Sequence, residues 1–150
     1  ACSIGQYLTV AKNRADFEWE RLVGLEFCQE YVTYMQEELE GVEAYQVDLG
    51  GGVAPAAFLE GFDVVVFSES FEHQFHVRLV MARLAEMLRT GGLLFFSAQA
   101  LEGGLPIRSE ETIYCPRGAI EGLCESLGLV IADCQLRAGR FLISAHKGTE

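Results

Sequence analysis

The sequence predicts an α/β fold built on a mostly parallel sheet that ends in an antiparallel hairpin. Three observations carry that reading. Short apolar runs bounded by Gly or acidic residues, RLVGLEF (21–27), AYQVDL (44–49), FDVVVF (62–67) and GLLFFSA (92–98), read as buried strands. Stretches of helical period lie between them, and strand alternating with helix through residue 98 argues for parallel βαβ units. The last two strand-like runs, LVIADCQL (129–136) and RFLISAHK (140–147), are joined only by Arg137 to Gly139. That link is too short for a parallel crossover, so the two runs pair antiparallel.

Taken in order, ACSIGQYL (1–8) is a small-residue turn of the kind that follows a strand and opens a helix. Residues 29–40 put Tyr31, Met35 and Leu39 on one stripe among Glu and Gln, the pattern of an amphipathic helix. Over 74–89, Val77, Val80, Met81, Leu84, Met87 and Leu88 share a face, and Gly91 with Gly92 supplies the helix stop. Residues 116–127 begin at Pro116, group Ala119, Ile120, Leu123, Cys124 and Leu127, and end at Gly128. Residues 98–115 read as a loop at the ligand-facing side of the sheet, with Arg108 and Tyr114 either contacting an acceptor or simply solvated.

A chain of 150 residues, half of them apolar and 22% charged, suits a single domain over 1–150. Its longest apolar runs, VVVF and LLFF, fall far short of the roughly 20 residues of a membrane span, so a soluble protein with no membrane partner is expected. Cys2, Cys28, Cys115, Cys124 and Cys134 are odd in number, scattered and without a C-x-x-C pair. They read as small apolar residues of a reducing cytoplasm rather than a disulfide or zinc framework. The net charge of -11, uninterrupted by any Lys/Arg cluster, argues against nucleic acid as a partner and suits a neutral or cationic small molecule.

Ala1, Ser3 and Gly5 occupy the positions of a G-x-G-x-G turn, where small residues let a nucleotide-like ligand approach the backbone; a plain surface turn is the alternative. Glu26 ends its strand 21 residues after Gly5, close to the roughly 20-residue offset at which a carboxylate meets ribose hydroxyls, or else it is a solvated strand end. Asp48 closes QVDL, where it either accepts from a purine amine or starts a loop. The strand FDVVVF runs into Ser68, Glu69 and Ser70, and Glu72 and His73 then begin a helix. If the turn is helical, Glu69, Glu72 and His73 share a face at i, i+3 and i+4, a set able to hold a divalent cation that polarises a substrate hydroxyl. The alternatives are acids stabilised by the helix dipole and a His bonded to the neighbouring loop.

In order and spacing these motifs resemble the class I S-adenosylmethionine-dependent methyltransferases over essentially the whole chain. ACSIGQYL resembles the family's glycine loop, VGLEF its acidic second strand and QVDL its third. FDVVVFSESFEH followed by LRTGGLLFFSA is similar to the signature of its small-molecule members, which include the ubiquinone-biosynthesis O-methyltransferases. The resemblance implies a Rossmann-like methyltransferase sheet, S-adenosylmethionine as cofactor, and methyl transfer to a small-molecule acceptor with O-methylation preferred. It implies that Ala1, Cys2, Ser3 and Gly5 line the methionine part of the cofactor, that Glu26 binds the ribose, and that Asp48 with Leu49 flanks the adenine. Ser68 and Glu69 would face the sulfonium and the substrate. Deprotonation of an oxygen acceptor falls to His73 first, then Glu72, then His76. In some relatives the E-x-x-E-H pattern, here Glu69, Glu72 and His73, binds a divalent metal; the RNA-end enzymes complete that site with a histidine after the fifth strand, and the neighbourhood of Gln99 offers none. The family's first strand precedes its glycine loop, so this chain is expected to be an N-terminally truncated form of the fold. Two other readings stay open: a non-catalytic methyltransferase-like binding domain or inactive fragment, and a nicotinamide-dependent oxidoreductase, which needs a parallel strand where the hairpin is expected.

Overall fold

The structure is a computed structural model, and it describes residues 5–14, 16, 18–51, 56–109 and 112–148. The chain forms two compact units, Ala1–Gly52 and Val53–Glu150.

In the first unit β1 (Leu22–Glu26) and β2 (Val42–Gln46) pair in parallel, Leu22 opposite Val42 through Glu26 opposite Gln46. Two helices, α1 (Gln6–Lys12) and α2 (Gln29–Glu38), join them around a core of Val32, Met35 and Ala44, with Leu8 and Leu39 packed against it. Gly24, in the middle of β1, makes this close approach possible: a Cβ there would stand 3.0 Å from both Leu8 Cδ1 and Met35 Sδ. The buried residues of α2 are Val32 and Met35, with the partly buried Leu39 just after the helix completing the stripe, one position round from the expected Tyr31, Met35 and Leu39. Both triplets fit a helical period, and the choice falls to the one that keeps the tyrosine's polar tip in water. Arg21 grips Glu43 with Nε at 2.6 Å and Nη2 at 2.7 Å, and the Tyr45 hydroxyl donates to the same carboxylate at 2.7 Å. These partners, Arg21 foremost, hold the Glu43 carboxyl down to about 2 and tie the amino end of β1 to β2.

The second unit contains β3 (Phe62–Phe67), α3 (Val77–Met87), β4 (Leu88–Ala100), β5 (Ile107–Arg108), β6 (Ile113–Cys115), α4 (Arg117–Glu125), β7 (Leu129–Arg137) and β8 (Arg140–Lys147). Its spine is β4. One edge of β4 pairs in parallel with β3 and then, at Gln99 and Ala100, with β6; the other edge pairs antiparallel with β8, which in turn carries β7. The sheet is therefore mixed. Parallel pairing runs through β3, β4 and β6, while β5 returns antiparallel along β6 and the β7–β8 hairpin is antiparallel as expected. Val80, Met81, Leu84 and Met87 of α3 and Ile120 and Cys124 of α4 are buried, as are alternate residues of β4 (Leu94, Phe96, Ala98) and β8 (Phe141, Ile143, Ala145). Period two on the strands and 3.6 on the helices thus deliver one apolar layer, in which each large side chain contributes about 1.5–3 kcal/mol on burial.

Three boundaries differ from expectation. The helix expected over 74–89 ends at Met87, because Leu88 is already extended and paired with Phe62. Gly91 and Gly92 consequently serve a bulge in β4 rather than a helix stop: Gly91 has φ 74, and a Cβ on Gly92 would stand 2.8 Å from the Arg89 carbonyl oxygen. The supposed loop 98–115 contains β5 and β6, of two and three residues, too short to show a periodic signal. Ala138 (φ 48) and Gly139 (φ 76) turn the hairpin, the left-handed pair of a type I′ turn.

Cys115 and Cys124 are buried free thiols, and burial pushes Cys124 up to about 11; Cys28 and Cys134 are half-buried, and Cys2 lies outside the described residues. Among the described residues no helix is long and apolar enough to cross a membrane.

Candidate active-site residues

Two of the expected nucleotide-binding residues of the first unit, Glu26 and Asp48, stand at or just past the carboxyl ends of its parallel strands. Glu26 is the last residue of β1 and is buried. Its Oε1 accepts hydrogen bonds from the backbone N–H of Phe27 at 2.8 Å and of Cys28 at 3.1 Å, the two amides that lead into α2. An anionic oxygen at the start of a helix is held by real donors and by the helix dipole together. Gly5 stands just before α1 with φ 75, and its carbonyl accepts from Thr9 N at 2.9 Å and Thr9 Oγ1 at 3.1 Å. A Cβ there would meet Leu39 Cδ1 at 2.6 Å, so the turn lies against the α2 side of the core as only glycine allows. Ala1, Cys2 and Ser3 lie outside the described residues. Asp48 follows β2 by two residues; its Oδ1 accepts from Gly50 N at 2.8 Å, closing an Asx turn, and the neighbouring Leu49 is buried.

In the second unit the chain leaves β3 through Ser68, Glu69 and Ser70 and makes one 3₁₀ turn, Phe71–His73. Glu69 is exposed and adopts φ 53, a left-handed backbone that costs a non-glycine residue about 1–2 kcal/mol. Its neighbours hold it there. Glu69 N–H donates to Ser97 Oγ at 2.8 Å, and Ser70 Oγ donates to the Ser68 carbonyl at 3.1 Å. Ser97 sits buried on β4, and its hydroxyl lies 3.4 Å from that of Ser68.

The turn sends its three side chains in three directions, since a 3₁₀ helix has three residues per turn and steps by about 120°. Phe71 is buried and stacked on Phe96, ring centroids 5.7 Å apart. Glu72 is fully buried and accepts a hydrogen bond from Arg140 Nη1 at 2.5 Å. His73 is exposed, as is His76 at the start of α3. The common face expected of Glu69, Glu72 and His73 therefore does not form, because that expectation assumed an α-helical turn. Among the described residues, no group of three His, Cys, Asp or Glu side chains is arranged to hold a metal ion. Arg108 is engaged close by, donating to the Gln74 carbonyl at 2.5 Å with its guanidinium 4.6 Å from the centre of the Phe75 ring.

Sequence reasoning passed over Ser97 and Arg140. A lone hydroxyl inside the apolar run LLFFSA was the one available signal for Ser97; nothing local marks Arg140. Ser97→Ala removes the acceptor for the Glu69 amide, and a part-buried hydrogen bond of this kind contributes about 0.5–1.5 kcal/mol. A loss of that size is expected in urea unfolding, together with faster hydrogen exchange at Glu69. Wild-type exchange at Glu69 would show that the serine does not brace the turn.

Residues 1–96 match a family model described as a methyltransferase domain. The comparison with curated proteins finds no match. Among solved structures the chain is similar to the 4+2 cyclase SpnF, at 15% identity over 100% of this chain and 74% of that one, with a TM-score of 0.80. It is also similar to an S-adenosylmethionine-dependent methyltransferase from Mesorhizobium loti, at 13% identity, 97% and 88% coverage and a TM-score of 0.78. A third is the 1,6-didemethyltoxoflavin-N1-methyltransferase of Burkholderia thailandensis, crystallised with 1,6-didemethyltoxoflavin and S-adenosylhomocysteine, at 15% identity, 99% and 68% coverage and a TM-score of 0.76. Identities of this size speak to a shared fold.

Proposed function

This chain belongs to the methyltransferase domain family, and from that premise we propose that it methylates a small-molecule acceptor, with oxygen the preferred atom. Its cofactor is S-adenosylmethionine. The observation that carries the reading is Glu26, a buried carboxylate at the carboxyl end of a parallel strand, with one oxygen fixed by two backbone amides. A carboxylate fixed in this way at a strand end is the acceptor to which the vicinal hydroxyls of a ribose donate in sheets of this kind. When bound, the cofactor supplies a methyl group on a positively charged sulfur that is already a good leaving group.

The residues of this chain mainly bind and align, because an in-line displacement of that kind asks for little else. Glu26 takes the ribose, Asp48 and Leu49 flank the adenine, and Gly5 with Ala1, Cys2 and Ser3 serves the methionine part. Ser68 and Glu69 are the cofactor contacts proposed in the second unit; the braced, left-handed backbone at Glu69 supports a positioned rather than a casual turn. An oxygen acceptor must lose a proton, and we assign that task to His73, whose exposed imidazole lies at the end of the same turn. His76 is the second candidate. Glu72, committed to Arg140 in the interior, is read as support for the turn instead of a base. The acidic surface, of net charge -11, favours a neutral or cationic acceptor. One protein of the same fold is named as a 1,6-didemethyltoxoflavin-N1-methyltransferase, which is in keeping with a small-molecule acceptor. A cytoplasmic setting is proposed from the buried free thiols Cys115 and Cys124.

Calorimetric titration is expected to give a dissociation constant for S-adenosylmethionine on the order of micromolar, about 8 kcal/mol of binding. Absence of binding would leave a degenerate domain. His73→Ala is expected to leave that constant nearly unchanged and to lower turnover about tenfold or more, read as S-adenosylhomocysteine release with a panel of small hydroxylated acceptors. Turnover equal to wild type removes His73 from the base role.

A further inference from the structure

Glu72 and Arg140 are 68 residues apart in sequence and meet inside the second unit. The Glu72 side chain is 1% exposed and that of Arg140 26%. Arg140 opens β8 opposite Gln99 of β4, and Ala100 N donates to the Gly139 carbonyl at 2.9 Å, so the end of the hairpin is itself fastened to the carboxyl end of β4. Glu72 Oε1 takes the guanidinium, while the equally buried Oε2 has no hydrogen-bond partner among the described residues. As a stability device this is a poor arrangement. A buried ion pair commonly does no better than two apolar side chains of similar volume, and here one carboxylate oxygen is left unsatisfied. What the pair does supply is direction. With Glu72 drawn inward, the three-residue turn has to send His73 outward, and the backbone arriving from Glu69 is fixed at both ends, by Ser97 on one side and Arg140 on the other.

We propose that Arg140 is a positioning residue: through Glu72 it couples the C-terminal hairpin to the turn after β3 and sets the orientation in which that turn presents Glu69 and His73. The proposal rests on reading this turn as part of the methyl-transfer machinery. It assigns to the hairpin a part in the chemistry that its place at the far end of the sequence does not suggest.

The test uses the full chain in four forms: wild type, Arg140→Met, Arg140→Lys and the double variant Glu72→Met with Arg140→Met. Three quantities are read for each: urea unfolding, amide hydrogen exchange at Glu69, His73 and Gln74, and calorimetric affinity for S-adenosylhomocysteine. Arg140→Met strands a buried carboxylate and is expected to lose stability. The double variant removes both charges and is expected to regain wild-type stability. Its exchange in the turn nevertheless stays about tenfold faster than wild type, and its S-adenosylhomocysteine affinity stays about tenfold weaker, because the turn is no longer aimed. Arg140→Lys keeps the charge and is expected to recover most of the exchange protection. If the double variant recovers wild-type exchange and affinity along with stability, the pair is packing only and the proposal falls. Should Arg140→Met not fold, the double and lysine variants still decide the matter. Failure of the methyl-transfer reading looks different: wild type itself then fails to bind S-adenosylhomocysteine, whereas failure of the positioning claim is seen only in the variants.

Discussion

Glu26→Ala is expected to weaken S-adenosylmethionine binding on the order of a hundredfold, the largest effect on affinity of any single substitution proposed for this chain. Two ribose hydroxyls donating to a carboxylate make charge-assisted hydrogen bonds worth about 1.5–3 kcal/mol each, and losing even the lower sum of about 3 kcal/mol changes a dissociation constant by about two decades. The same carboxylate holds the amides of Phe27 and Cys28 ahead of α2, so Glu26→Ala is also expected to lower stability by about 1–2 kcal/mol without any ligand. Glu26→Gln separates the two effects. An amide oxygen still accepts from Phe27 and Cys28, so stability stays near wild type, while the lost charge leaves affinity between that of wild type and the alanine variant. Calorimetry and urea unfolding on the three proteins give both numbers. A dissociation constant unchanged by Glu26→Ala would refute the ribose assignment and leave the acid with a purely local structural task.

How far such a residue is readable in advance depends on how local its signal is. The place of Glu26 was legible because an apolar run leads directly into an acid, which the fold puts at the buried end of β1. The β7–β8 hairpin was legible because the link Arg137 to Gly139 admits little besides a tight turn, although Ala138 at φ 48 carries no hint of its left-handed backbone. The turn after β3 was legible as a place and misread as a shape. Spacing i, i+3, i+4 defines a face only if the backbone is α-helical, and one 3₁₀ turn was enough to send Glu72 into the interior and His73 out of it. Arg140 was illegible in principle, since its partner stands 68 residues away and only the assembled sheet brings the two together. The same holds for β6, whose three residues become a strand because β4 extends to Ala100 and offers them an edge. Even the fold leaves chemistry open, for one protein of this architecture is named as a cyclase.

The turn after β3 keeps its shape through its apolar anchor, and Phe71→Ala is accordingly expected to destabilise the protein by about 3–5 kcal/mol, the range for emptying a buried aromatic site. Phe71 is 1% exposed, stacks on Phe96, and lies at the base of an open cleft of about 210 Å³ lined also by Val77, Ile113, Cys115, Ile120 and Leu123. Removing the ring gives up both its buried apolar area and its stacking on Phe96, which accounts for a loss of this size. Phe71→Leu refills part of the space and is expected to cost less than half as much, about 1–2 kcal/mol. Urea unfolding of the two variants measures both. The local consequence discriminates further. With the anchor gone, the brace from Ser97 to Glu69 and the pull of Arg140 on Glu72 have no fixed point to act against. Exchange at His73 and Gln74 should then rise in Phe71→Ala at urea concentrations where the hairpin amides of β7 and β8 remain protected. A loss below about 1 kcal/mol, or exchange that rises only together with that of the hairpin, would mean that the turn is not seated on Phe96 and is held by its polar contacts alone.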